Sequence, residues 1–577
     1  MKIELATPEI PPWRETSWLG WLYLGMVVVF TWLPYSYYQM VSWPWILVWQ
    51  IGFLLLGIWA IWLLRQGRSP FKLLGYGLDW GAGLAGLALV FSGVFCQFKE
   101  VAAWYASIAL FYAVLLYVSR NWLGQGILTI NRLWLGIPAV GVGMSIISLL
   151  TWWQNWTVED SRNGWTLGHP NFVAGYLLLI LPLTFFLALS RQGWQRMAGL
   201  AASGLFLFVL YTTSSRGGFL GLLLFSLVGA GFWLGQSPSK VRLKRLWLLL
   251  AALGVIVALA LSNPRVQQIV QINSATAPVQ VKIDGESWER LLMWQASFAI
   301  FKTHPLFGVG PGNMSRVYDL YRPPTAGQAM THLQQLHNTP IQILGELGLV
   351  GLAAYGWILG SLGYLWYRLY RKLSQPQERY LLYGIGGGLL AYTFSSLTDY
   401  QLENIPISTT LVFLIVLLIK LGDEHLLSEV KSLENSWRRW LSLAGIVALV
   451  AISLFWLPIS RAMALSFQSE QNFQAGNVTQ AYQQAALAAE LVPWDPTYNL
   501  LAGFETLKIR EKAEDKKLFQ DLTKIALGHL EKVVQVAPND APFNQVLAML
   551  YRDNQDDNKA IFHLNRATEL FPRTPLY

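Results

Sequence analysis

Residues 336–352, LHNTPIQILGELGLVGL, put a histidine and an asparagine directly ahead of a long apolar run that holds one glutamate and three glycines. Thr339, Pro340 and Gln342 have the residue types of an N-cap, a first helical residue and a capping-box partner, so a helix is expected to start at Thr339. The run behind them can cross a bilayer, which takes roughly 17–25 mostly apolar residues. Thirteen runs of this kind are expected, near 18–36, 43–64, 73–95, 101–119, 133–152, 172–190, 197–213, 217–235, 246–262, 340–367, 380–398, 406–421 and 440–458. Only TTSSRGG divides the pair at 197–235. The expected fold class is therefore all-α, a polytopic membrane bundle of about 13 spans.

Composition agrees. The chain is 54% hydrophobic with only 13% charged residues, against roughly a quarter charged in soluble proteins. Its 28 tryptophans suit membrane–water interfaces. The net charge of +9 could mark a nucleic-acid binder, but its distribution argues otherwise. RQGRSPFK, RQGWQR, KVRLKR, RLYRK and the stretch ending in Trp437, Arg438 and Arg439 fall in alternate loops. PYSYYQMVSW and DYQLENIP, between them, are nearly free of basic residues. This alternation predicts a cytoplasmic N-terminus and an extracytoplasmic C-terminus. No nucleic-acid partner is expected. The single Cys96 excludes an internal disulfide and fits no metal motif. The start MKIELATPEIPPWRETSW has no signal-peptide core, so insertion is expected to rely on the first span.

Two parts lie outside the bilayer in this reading. One is the outer loop 263–339, which belongs with a membrane domain over 1–459. The other is the tail 460–577, rich in Ala, Gln, Asn, Lys and Glu. The tail repeats: AGNVTQAYQQAALAAELVPWDP parallels DNQDDNKAIFHLNRATELFPRTP, with Ala481 and Ala560 where paired helices must approach closely. ALGHLEKVVQVAPND resembles half of a middle unit. Pro538 and Pro572 are 34 residues apart, the tetratricopeptide period, whereas Pro493 and Pro538 are 45 apart, with REKAEDKKLFQ the expected insertion. Such arrays bind peptides or partner proteins, and the alternative is a purely structural helical cap.

Candidate chemistry gathers at the outer ends of spans. His337 could accept a proton from a sugar hydroxyl, and the helix start beside it favours a phosphate group. The alternative is an interfacial histidine that only bonds its loop; the arginines nearby tip the balance toward function. Asn338 shares its loop. Gly345, Gly348 and Gly351 are expected to form a smooth ridge against another span. Glu346 must meet a partner or water inside the bundle. Arg216, at an outer turn with almost no loop, suggests an anionic ligand or a fixed internal partner, and snorkelling to the interface is the alternative. Arg290 lies on a helix in the outer loop, with Trp294 on the same face. GVGPGN could cradle phosphate, though a simple turn is the expected role. Asn171, after His169 and Pro170, is expected to cap the sixth span more than to touch a ligand. Asp399 could balance an arginine. No metal cluster and no nucleotide-phosphate loop is present in the sequence, so neither metal nor cofactor is expected.

GHPNFVAGYL, TSSRGGFLGLL, ERLLMWQASFAIFKTHPLFGVGPGN and HNTPIQILGELGLVGL, in this order, resemble the O-antigen ligase/polymerase superfamily of bacterial membrane glycosyltransferases, over roughly residues 70–420. The resemblance implies a C-type glycosyltransferase-like bundle in the bacterial cytoplasmic membrane with an active site on its outer face. It implies a polyprenyl-diphosphate-linked glycan donor, undecaprenyl diphosphate being the expected carrier, and a lipid, glycan or protein hydroxyl as acceptor, as in building lipopolysaccharide. Carried over, His337 is the essential histidine, Arg216 and Arg290 bind the diphosphate, and the reaction is inverting and metal-independent. Asn338, Glu346, Asn171 and Asp399 are expected in support. FGVGPGNMSRVYDLY resembles a branch of the superfamily named as bicarbonate transporters, which is the alternative function.

Overall fold

The computed structural model describes residues 17–66, 70–123, 127–155, 162–235, 239–263, 270–271, 280–281, 285–324, 335–426 and 431–570. The N-terminal stretch expected to lack a signal core, most of 263–284 and Pro572 lie outside the described residues. Helices occupy every stretch expected to span. They are Ser17–Trp32, Trp45–Arg65, Leu78–Phe95, Lys99–Trp122, Ile127–Gln154, Pro170–Ser190, Gly193–Thr212, Arg216–Gly235, Ser239–Ser262, Thr339–Lys372, Pro376–Ser395, Ile405–His425 and Asn435–Gln474. Among the described residues, eight are long and apolar enough to cross a membrane, and Trp18–Trp32 and Arg216–Phe232 are shorter apolar helices. This is a multi-pass helical membrane protein.

Pro170–Ser190 and Ile405–His425 are apolar on every side and buried along most of their length, which puts them at the centre of the bundle. Pro376–Ser395 lies closely against the first of them. A Cβ on Gly384 would come within 3.0 Å of Leu183 Cα, and one on Gly388 within 2.3 Å of Leu179 O. These glycines, in GIGGG, supply the close helix contact expected of Gly345, Gly348 and Gly351.

The latter three do something else. Thr339–Lys372 breaks at Gly348, whose φ of 64° and ψ of −158° leave the helical region. The break frees carbonyls and amides within an apolar layer, where each unpaired group is costly. The glycine loop takes them up: Val309 and Gly310 N–H donate to Gly345 O and Glu346 O, both at 3.0 Å. Leu349 N–H donates to Pro305 O at 2.9 Å, and Val350 N–H to Leu306 O at 3.2 Å. GVGPGN is thus a clasp on a broken helix, with Gly308, Gly310 and Gly312 all at positive φ, and its amides point at protein carbonyls instead of a phosphate. Glu346 completes the clasp. Its carboxylate accepts from Gln342 Nε2 at 2.7 Å and from the N–H groups of Gly312 and Met314.

The described part of the loop 263–339 carries its own small core. Leu292, Met293, Ala296 and Ile300 of the helix Gly285–Thr303 pack on Met314, Val317 and Tyr318 of Met314–Tyr321 and on Leu336. Trp294 Nε1–H donates to Leu336 O (3.2 Å), and Ser297 Oγ to Ile341 O (2.8 Å), so this subunit of structure grips the segment around His337.

At the opposite end of the bundle a basic residue read as a topology marker also has a structural task. Arg438 is buried and donates to the carbonyls of Leu63, Leu64 and Gln66, closing the C-terminus of Trp45–Arg65.

The last span does not stop at residue 459. Asn435–Gln474 is one helix of 40 residues, about 60 Å at 1.5 Å per residue and twice a hydrocarbon core. Its far half begins the tail, where Val478–Leu491, Pro496–Glu511, Lys516–Val536, Ala541–Asp553 and Asp557–Leu570 follow in neighbouring pairs. Ala481 and Ala560 are buried between helices. The additional residues around REKAEDKKLFQ lengthen a helix pair to 16 and 21 residues, against 13 and 14 in the next. The tail is docked: Val492, Trp494 and Tyr498 pack with Trp49, Trp456 and Ile459, and Phe455 stacks on Trp494 at 6.0 Å.

Candidate active site

Two helix starts and one loop build the site. Asn338, one residue ahead of the expected position, is the N-cap of Thr339–Lys372: its Oδ1 accepts from Ile341 N–H at 3.1 Å. Asn338 Nδ2 donates to Leu397 O (2.7 Å), and Thr339 Oγ1 to Asp399 O (3.0 Å), tying the helix start to the loop 396–404. Gln342 accepts from Leu336 N–H at 2.7 Å. Between these ties His337 takes φ 48°, a left-handed conformation that an L-residue holds only when its surroundings fix it.

The fixed backbone aims the imidazole at Asp399, with Nδ1 2.7 Å from Oδ1. Asp399 is 1% exposed and His337 30% exposed, so the pair has a buried end and an open end. Burial works to raise the Asp399 carboxyl, but the hydrogen bond and charge of His337, with His169 and Gln401, outweigh it and hold it at about 2. An ionised Asp399 accepts only, so Nδ1 carries the hydrogen and Nε2 is left with its lone pair. Asp399 therefore orients a histidine.

His169 stands at the other helix start. Its Nδ1 accepts from Asn171 N–H at 3.3 Å, making His169 the N-cap of Pro170–Ser190, the role expected of Asn171. Burial, opposed by Asp399 and reinforced by the charges of Arg162, His337 and Arg290, pushes its pKa down to about 4. It is neutral at physiological pH. The same relation places Arg162 and Arg290 in electrostatic reach of His169. Asn171 is a tie point: Oδ1 accepts from Ser215 Oγ (2.8 Å) and Arg162 Nη2 (3.4 Å), and its carbonyl accepts from Gln401 Nε2 (2.8 Å). Arg162 Nε also donates to Thr213 O at 3.2 Å.

Arg216 opens the helix Arg216–Gly235, between Ser215 and Gly217. A Cβ on Gly217 would meet Thr398 Oγ1, so this helix start presses on the residue before Asp399. The structure thus gathers His337, Asn338, Asp399, Asn171, Arg216 and Arg290 around one layer of loops and helix starts and leaves Glu346 in the helix clasp. Arg162 was missed. The signal was present, since it is the one Lys or Arg between residues 151 and 171, but its acidic neighbours Glu159 and Asp160 mask it. Among the described residues, no group of three or more His, Cys, Asp and Glu is placed to hold a metal.

Beneath this layer a cavity of about 1150 Å³ opens between Pro170–Ser190, Arg216–Gly235, Thr339–Lys372 and Pro376–Ser395. Its lining is mainly apolar and aromatic, and Thr339, Tyr392 and Ser396 bound it on the side of His337.

Residues 201–356 match the family model described as O-antigen ligase. Over that segment the chain is similar to the O-antigen ligase/polymerase superfamily. The teichuronic acid biosynthesis protein TuaE of Bacillus subtilis (strain 168) is 22% identical over 233 residues, covering 39% of this chain and 46% of that relative. The chain thus matches less than half the length of that curated relative. The ligase-family segment contains Arg216, Arg290 and His337, while Arg162, His169, Asp399 and the tail lie outside it.

Proposed function

We propose that the chain transfers a glycan from a polyprenyl-diphosphate carrier to an acceptor hydroxyl, at the outer face of a bacterial cytoplasmic membrane. The observation that carries this reading is the 2.7 Å contact between His337 Nδ1 and buried Asp399, beside a neutral His169 that lies in electrostatic reach of Arg162 and Arg290. His337 Nε2 takes the proton of the acceptor hydroxyl. The freed oxygen attacks the anomeric carbon from the side opposite the carrier, the bond from that carbon to the diphosphate oxygen breaks, and configuration inverts. Arg216, Arg290 and Arg162 receive the departing diphosphate charge, for which guanidinium forks are well shaped. The scheme is written without a metal. The apolar cavity beneath the site suits the isoprenoid part of the carrier.

In this reading all thirteen helices span, and the tail is an extracytoplasmic tetratricopeptide-like array that engages a protein acceptor or assembly partner. The buried Ala481 and Ala560 and the paired tail helices support it.

Deleting the gene and analysing surface polysaccharide and glycoprotein is the test. Loss of chain length, of lipid attachment or of a protein glycoform is the expected result. An unchanged surface together with bicarbonate movement by the purified protein in liposomes would establish the transporter function instead.

A further inference from the structure

The loop that orients His337 carries a second carboxyl four residues on. Glu403 is enclosed by protein yet keeps partial access. Gln335, two residues before His337, donates to the Glu403 carboxylate, and its Nε2 also reaches Tyr37 Oη at 3.3 Å. Tyr37 lies within electrostatic reach of both Glu403 and Asp399, and its ring meets Phe172 edge-on at 4.8 Å. Tyr105 and Tyr400 face the same carboxylate. Tyr112 Oη fixes the backbone by donating to Glu403 O at 3.3 Å. Among the described residues Glu403 enters no ion pair. Burial raises it to about 7.

The surroundings of His337 are therefore polarised. On one side are Arg162 and Arg290, in electrostatic reach of His169; on the other are a carboxylate, an amide and several phenols, with Arg316 in reach of Tyr105 but, among the described residues, no cation in an ion pair with the carboxylate. The first side suits an anion. The second suits a ligand that offers many hydroxyls and an apolar sugar face, because carboxylate and amide groups take neighbouring hydroxyls and aromatic rings cover C–H surfaces.

We propose that Gln335, Glu403 and Tyr37, with Tyr105 and Tyr400, form the acceptor subsite of the His337 centre and that it takes an uncharged, hydroxyl-rich sugar. This rests on the transferase reading for the word acceptor, but the sugar site itself stands on its own geometry. A uronate or phosphate-bearing sugar would meet the charge of a Glu403 carboxylate that, among the described residues, no cation pairs, and is disfavoured. Asp495 and Asp540, caps of two tail helices, lie in electrostatic reach of Arg316, and Arg316 in that of Tyr105.

The test uses the full chain in lipid nanodiscs at pH 8, where Glu403 is ionised. Three probes are titrated: undecaprenyl diphosphate, a pool of neutral oligosaccharides and a pool of uronate-containing oligosaccharides. Saturation-transfer NMR reads the sugars. Wild type is expected to bind the neutral pool at least tenfold more tightly than the uronate pool. Glu403→Gln and Gln335→Leu should each weaken the neutral pool about tenfold and leave undecaprenyl diphosphate within twofold. Glu403→Gln should also narrow the preference against uronates, an effect that mere loosening of the fold does not produce. Arg290→Ala should do the reverse, losing the diphosphate and keeping the sugar. Equal binding of the two pools by wild type, no binding of the neutral pool, or neutral binding unchanged in Glu403→Gln each overturns the proposal. If undecaprenyl diphosphate fails to bind while the neutral pool binds and is lost in Glu403→Gln, the sugar site holds and the donor reading falls.

Discussion

His169 and His337 each stand just ahead of a proline-initiated helix, in GHPN and HNTP, and both look toward Asp399. They differ at Nδ1. His169 Nδ1 accepts a backbone N–H, which spends its lone pair on the helix start, and burial keeps the ring neutral. His337 Nδ1 donates to an ionised carboxylate, which leaves Nε2 free to accept a proton at the exposed edge. The same residue in the same local setting becomes a cap in one place and keeps an open nitrogen in the other, because a different partner takes Nδ1.

The sharpest way to break that comparison is to replace each histidine. His337→Ala is expected to lower glycan transfer by roughly a hundredfold to ten-thousandfold, the usual worth of a general base, without loss of insertion or folding. His169→Asn, which keeps a capping oxygen, should stay within a few-fold of wild type. Equal losses in the two variants, read as kcat at saturating donor, would show that both rings act in the chemistry.

The arginines come next. Arg290→Ala or Arg216→Ala should cost about a hundredfold to a thousandfold, as removing a donor to a developing anion does elsewhere. Lysine should rescue poorly, since an ammonium cannot form the bidentate fork. Full rescue by lysine would mean that charge alone is used.

Gly348→Ala addresses the scaffold. A Cβ there would come within 2.4 Å of the Leu306 carbonyl carbon on a backbone at φ 64°, so destabilisation of more than about 1 kcal/mol is expected, read as a lower melting temperature. Unchanged melting would mean that the helix closes over the break.

The smallest effect is in pH dependence. His169 titrates at about 4 in the fold against about 6.5 in an unfolded chain. Between those values the unfolded chain binds the proton and the folded one does not. Its stabilisation is thus complete above about pH 6.5, falls as pH drops through the window and levels off below about 4. His169→Asn should lose less melting temperature than wild type between pH 7 and 5. Parallel curves would show that His169 is not the titrating group.

The sequence made the helices legible because apolar length is a local property, and Pro340 marked the helix start within one residue. Arg216 and His337 stood out because a charged or titratable group at the end of an apolar run demands a reason. The roles of Asp399, Gln335 and Glu403 depend on pairing across 62 residues or more and on a loop that only the packed bundle brings beside HNTP. Gly345, Gly348 and Gly351 misled for a related reason. Spacing by three suits a packing ridge, but their use was decided by where GVGPGN returned to the helix. The tail's insertion was likewise legible in length and not in form, since it lengthened helices instead of adding a loop.

The central claim is that Asp399 makes His337 a base in glycan transfer, and Asp399→Asn tests it most directly. An amide can keep the contact to Nδ1 but no longer holds the hydrogen on that nitrogen, so Nε2 loses its lone pair in the resting tautomer. Transfer from a purified polyprenyl-diphosphate-linked glycan should fall by about a hundredfold or more, while carrier binding and melting temperature change little. Undiminished transfer by Asp399→Asn, with His337→Ala inactive, would contradict the account.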